Sequence, residues 1–79
     1  MQELLEYLVK SLVTKPDAVV IEETTDPEGG VNLLLTVDPE DMGLIIGKNG
    51  STIKSIRKLL ITRAMAENLK INLQLNEQE

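Results

Sequence analysis

The sequence has no cysteine and no histidine. The first absence excludes a disulfide and a thiolate metal site. The second removes the usual general base and the commonest zinc ligand. Tryptophan and phenylalanine are also missing, and the single aromatic side chain, Tyr7, stands near the start, so a surface that stacks bases on aromatic rings is not available. No apolar run nears the ~20 residues of a membrane span. Met1-Gln2-Glu3-Leu4 has neither the basic start nor the small-residue cleavage site of a signal peptide, so the expected location is the cytoplasm, away from membranes. No carboxylate pair is placed for acid–base work. Asp38 with Asp41 reads as helix capping, and Glu22-Glu23 reads as a solvated strand end. Neither an enzyme nor a cofactor or metal site is expected.

What is present suits a globular domain. The 79 residues make one expected domain, 1–79, near the lower size limit for a self-sufficient core, and 42% of them are apolar. The net charge of -5 argues at first against a nucleic-acid partner. Its distribution reverses that reading. Lys48, Lys54, Arg57, Lys58 and Arg63 lie between Gly43 and Ala66 with no acid among them, and all thirteen Asp and Glu fall elsewhere. Screening confines charge effects to roughly 8 Å at physiological salt, so a local patch outweighs the global sum. The same residues also fit a solvated helix face.

Periodicity divides the chain into six elements. Leu4, Leu5, Leu8, Val9 and Leu12 form a helical stripe over 2–14, and Pro16 stops it. Residues 18–24 are β-branched and read as a strand. Asp26-Pro27-Glu28-Gly29-Gly30 is a turn, and Val31, Leu33, Leu35 and Val37 alternate along a second strand, so the two form an antiparallel hairpin. Asp38-Pro39-Glu40-Asp41 starts a short helix over 39–46, with Asp38 as its N-cap. A longer helix runs from near Ser51 to about Glu67, with Ile53, Ile56, Leu60 and Ala64 inward, Met65 beside them, and Asn68 able to end it. Ile71, Leu73 and Leu75 alternate along a last strand, and residues 77–79 are expected to fray. The resulting class is α+β, in the order α-β-β-α-α-β, with a three-stranded sheet covered on one face by three helices.

Gly47-Lys48-Asn49-Gly50 admits three readings. A P-loop needs four residues between its glycines and a Gly-Lys-Ser/Thr ending, and this segment has neither. An Asn-Gly hairpin conflicts with the helical spacing that follows. A helix–GXXG–helix unit accounts for every residue type. Gly47 can end one helix without a steric penalty. Gly50 lets a nucleic-acid backbone come close, Lys48 offers a mobile positive charge, and Asn49 can donate without repulsion. The amino end of the Ser51 helix supplies unpaired N–H groups, and Lys54 and Arg57 extend the cationic edge. The plain alternative is a tight interhelical turn with incidental charges.

The longer run Ile45-Ile46-Gly47-Lys48-Asn49-Gly50-Ser51-Thr52-Ile53-Lys54-Ser55-Ile56-Arg57 resembles the signature of KH domains, small folds whose GXXG loop clamps a nucleic-acid backbone. The element order resembles the type II, bacterial form, and the size resembles its small single-KH members. That resemblance implies RNA-binding roles for Gly43, Leu44, Ile46, Gly47, Lys48, Asn49, Gly50, Ser51, Ile53, Lys54 and Arg57. Gly43, Leu44, Ile46 and Ile53 would form or flank an apolar floor, the loop would hold sugar-phosphate, and strand 71–75 would offer main-chain groups to bases. It further implies a single-stranded RNA partner, work as an RNA chaperone or post-transcriptional regulator, and assembly as a homodimer or with a larger KH protein. Without aromatic stacking, one copy is expected to bind weakly, with a log-log salt slope of about −2 for roughly three phosphates. A second module would raise avidity. The rival reading is a protein-interaction module that keeps the fold with little RNA binding.

Overall fold

The computed structural model describes residues 2–76. The elements are α1 (Gln2–Lys10), β1 (Val20–Thr25), β2 (Val31–Thr36), α2 (Met42–Ile46), α3 (Ser51–Ala66) and β3 (Ile71–Leu75). Short 3₁₀ turns at Pro16–Ala18 and Pro39–Asp41 and a left-handed turn at Lys48–Gly50 lie between them. β2 is central: it pairs antiparallel with β1 and parallel with β3. The expected order and class are therefore found. The expected fraying at 77–79 lies outside the described residues.

Alternation decides which sheet face is covered. Leu33, Leu35, Val37 and Leu73 are buried together with Leu5 and Val9 of α1, Ile45 of α2, and Ile53, Ile56 and Leu60 of α3. Residues of opposite parity, among them Asn32, Leu34, Asn72 and Gln74, lie on the other face. Glu22 and Glu23 are mid-strand rather than at a strand end, and both are exposed.

Several boundaries differ from the periodicity, each for a physical reason. α1 ends at Lys10, not at residue 14. Leu12 N–H and Val13 N–H both turn back to the Val9 carbonyl (3.0 and 3.1 Å), and the next two N–H groups, of Thr14 and Lys15, go to Asp41. Leu12 consequently leaves the stripe and is exposed. The first strand begins at Val20 because Val19 N–H closes a turn on Pro16 O (3.2 Å). Met65 faces solvent at 72% exposure instead of joining the inner stripe.

Two helix ends behave as their residues dictate. Asp38 accepts from Glu40 N–H at 2.9 Å, an N-cap. At the far end of α3, Asn68 N–H bonds Met65 O (3.2 Å) and Leu69 N–H bonds Ala64 O (2.8 Å), with Asn68 left-handed at φ 56°. This paired closure is the Schellman motif, and asparagine is one of the few L-residues that adopt its left-handed position readily. It turns the chain sharply into β3.

Candidate nucleic-acid interface

The loop between α2 and α3 takes its shape from three unusual backbones. Gly47 has φ 73° and ψ 177°, a region essentially restricted to glycine. A Cβ there would collide with Thr52, 2.6 Å from its Cβ and 2.8 Å from its backbone N, and would strike its hydroxyl. Asn49 (φ 58°, ψ 27°) and Gly50 (φ 74°, ψ 15°) are both left-handed. Asn49 thus has a conformational role that its sequence context does not reveal. Gly50 opens onto free space: a methyl group added there would meet only the Lys54 stem, at 4.0 Å. Gly47 N–H closes α2 on Gly43 O (2.9 Å). No side chain of the N-cap residue Gly50 caps α3, so the amino end of that helix is presented through bare backbone.

Lys48 and Asn49 stand at the tip, and both are exposed. Lys48, Lys54, Arg57 and Lys58 pair with no carboxylate among the described residues, whereas Arg63 pairs with Glu67 at 3.5 Å. Arg63 therefore leaves the cationic group that the sequence suggested.

A groove of ≈ 380 Å³ runs beside the loop, lined by Ile46, Ile53, Arg57, Gln74 and Leu75. Ile53 is nearly buried and joins the core, so it serves as floor and as packing. The groove's far wall is an open strand edge. Val31 N–H reaches Lys70 O (2.8 Å) and Asn76 N–H reaches Leu35 O (2.7 Å). Even-numbered peptide groups of β3 therefore face β2, and those of Ile71, Leu73 and Leu75 face outward. Arg57 Nε–H donates to Leu73 O at 3.2 Å, which sets the guanidinium between helix and strand. Gln74 and Leu75 lie outside the glycine-loop signature; the alternation of the last strand is the only sequence signal that points to them.

The other expected site residues are distributed unevenly. Gly43 and Leu44 lie exposed on α2 and do not line the groove. Ser51 is the first residue of α3, exposed, its carbonyl accepting from the Ser55 hydroxyl at 3.0 Å. A larger depression of ≈ 510 Å³ lies along α1 beside Glu3, Glu6, Tyr7, Lys10 and Ser11. Its two carboxylates make it a poor seat for a polyanion.

Asp41 is the residue that sequence reasoning misplaced. It does not cap α2. It is buried at 1% exposure and its carboxylate accepts from Thr14 N–H (3.1 Å), Thr14 Oγ1–H (2.7 Å) and Lys15 N–H (3.0 Å). The Thr14 hydroxyl, above all, holds its carboxyl below the usual range; burial opposes that shift, and the Thr14 and Lys15 amides and the Lys15 charge reinforce it. Lys15 Nζ in turn contacts Glu40 (2.6 Å) and Asp38 (3.6 Å), and the hydrogen bond to Glu40 raises its pKa.

A bare glycine loop between two helices, laid over a mixed sheet in the order α-β-β-α-α-β, defines the type II KH class of domain. Within that class the chain belongs to the KhpA/KhpB KH-domain family, whose sequence model matches residues 2–75. This is a family of KH domains and not of enzymes. The chain is 44% identical over 81 aligned positions to the RNA-binding protein KhpA of Chlamydia trachomatis, covering 99% of each. It is 45% identical over 71 to the RNA-binding protein KhpA of Clostridium perfringens, covering 90% of this chain and 93% of that one. To the protein of the same name from Thermotoga maritima it is 40% identical over 73, covering 92% and 95%. No helix among the described residues is long and apolar enough to cross a membrane.

Proposed function

We propose that this chain binds single-stranded RNA through the Gly47–Gly50 loop and the groove beside it, in the cytoplasm. The observation that carries the reading is the acid-free Lys48-Asn49 tip set at the open amino end of α3, directly beside a groove lined by both apolar and polar side chains. Its membership of a family whose named relatives are RNA-binding proteins supports it. The loop's left-handed turns bring backbone N–H groups and Lys48 to a phosphate. Gly50 admits the sugar-phosphate backbone. Bases enter between Ile46 and Ile53 on one side and Leu75 on the other, where the outward peptide groups of β3 meet their edges and Arg57 supplies further donors. Such a groove holds about four nucleotides.

Aromatic stacking contributes nothing at this site, so one copy binds weakly, and its few phosphate contacts make that binding salt-sensitive. The useful form is a homodimer or a pair with a larger, KhpB-like KH protein, in which linked sites raise avidity by ~10²–10⁴. RNA chaperoning or post-transcriptional regulation is the corresponding role. The test is RNA binding by wild type and by Lys48→Asp with Asn49→Asp, both checked for folding by circular dichroism. Loss of binding in the folded variant is expected, and equal binding would reject the reading. The rival is a protein-interaction module, favoured by the acidic remainder of the chain. Capture of a partner by both proteins, with RNA bound by neither, would establish it.

A further inference from the structure

Arg57 marks the border of α3 that faces β3, since its Nε–H reaches Leu73 O. Each helical residue turns by about 100°. Counted from Arg57, Ile61 lies about 40°, Lys54 about 60°, Met65 about 80° and Lys58 about 100° further round, all on the side away from the buried stripe of Ile53, Ile56, Leu60 and Ala64. This flank is open: Ile61 is 46% and Met65 72% exposed, and both lysines are exposed. Neither lysine meets a carboxylate among the described residues. From Arg57 to Met65 the helix rises about 12 Å, so the strip begins at the groove and leads away from the loop.

We infer that the strip of Lys58, Ile61 and Met65, which continues from Lys54 beside the loop, is a second stretch of the single-strand track, extending the groove reading on which it rests. Lys58 holds a phosphate of about two further nucleotides, and Ile61 and Met65 give their bases an apolar, polarizable surface. Charge selects the occupant. The segment 43–66 has five cations and no acid, so it attracts a polyanion, while the same strip of a second copy set against it would bring like charges together. A chain that cannot stack bases on aromatic rings gains most from lengthening its contact in this way.

The strip is tested by titrating two oligouridylates, one of about four nucleotides, the groove's own length, and one twice as long. Wild type is compared with Met65→Glu and with Leu59→Glu. Leu59 lies about 200° from Arg57 on the opposite flank and is 52% exposed, so it carries the same change of charge without touching the strip. Met65→Glu is expected to change short-oligonucleotide affinity by less than about twofold and to weaken the long one about tenfold, roughly 1.4 kcal/mol. Leu59→Glu leaves the ratio of the two affinities as in wild type. Lys58→Ala lowers the salt slope of the long oligonucleotide by about 0.7 and leaves the short one unchanged. Equal weakening of both lengths by Met65→Glu, or no weakening of either, overturns the inference alone. Dissociation of a dimer by Met65→Glu in light scattering, with RNA unaffected, also overturns it and gives the strip to a second copy. If wild type binds neither oligonucleotide, the groove reading fails and this inference falls with it.

Discussion

Thr14 donates twice to Asp41, through its backbone N–H at 3.1 Å and its hydroxyl at 2.7 Å. The two residues are 27 positions apart, and the link joins the α1–β1 connection to the start of α2. α2 has only five residues, too few to be stable by itself. Its direction is set by Ile45 in the core and by Asp41 at its amino end. The glycine loop hangs from its other end, so a carboxylate at the opposite end of α2 helps set where Lys48 and Asn49 stand.

Asp41→Asn is expected to destabilise the fold, because an amide group replaces one acceptor oxygen with a donor facing the donors of Thr14 and Lys15. Thermal unfolding should show a fall in Tm on the order of 10 °C. The pH dependence has a defined sign. The folded pKa of Asp41 is depressed, so its stabilisation is complete above the unfolded carboxylate value near ~4 and is lost as pH falls through the lower folded value. Urea titrations across this range should show that acid-dependent loss reduced in Asp41→Asn.

The two loop glycines should respond differently. Gly47→Ala places a methyl group against the backbone and side chain of Thr52 and should cost about 3 kcal/mol in urea denaturation. Thr52→Ser would not rescue it, since the Thr52 backbone N remains in the way. Gly50→Asp meets open space and loses mainly through a left-handed backbone, about 1 kcal/mol. It should fold and lose RNA affinity about tenfold or more. Unchanged affinity at low salt would remove Gly50 from the contact surface.

Arg57→Lys separates charge from geometry. It keeps the positive charge and loses the Nε–H bond to Leu73 O. Its expected signature is an unchanged salt slope with RNA affinity down about threefold, consistent with loss of one fixed hydrogen bond. Arg57→Ala should weaken binding further and flatten the slope by about 0.7 for a phosphate contact.

Asn68 tests the closure of α3. Asn68→Gly should hold or raise stability by a few tenths of a kcal/mol, and Asn68→Ala should lower it by about 1 kcal/mol, because only the first relieves the positive φ. Equal effects of the two in chemical denaturation would show that the left-handed turn is not limiting.

Much of the architecture was legible because local chemistry and global packing agree. The apolar stripe of α3, the alternation in β2 and β3, the Asp38 cap and the Asn68 stop each have a short-range cause that survives in the fold. The site was legible to a lesser depth. The glycine spacing and the acid-free run locate the loop, yet they do not separate Gly47, which is confined by Thr52, from Gly50, which faces open space. Leu44 and Gly43 have the spacing of groove residues but lie outside it. Arg63 belongs to the cationic run by sequence and to Glu67 by geometry.

By itself the chain's order of residues determined the six elements, the bare hinge between two helices, and a positive segment within an acidic whole, because periodicity, turn chemistry and charge are local properties. Only the tertiary structure decided that Asp41 holds a distant loop instead of capping its own helix, that α1 stops where it does, and that Arg57 stands against the free edge of β3. Those outcomes depend on partners up to 27 residues away, and a buried carboxylate takes the best-placed donors wherever the chain happens to bring them.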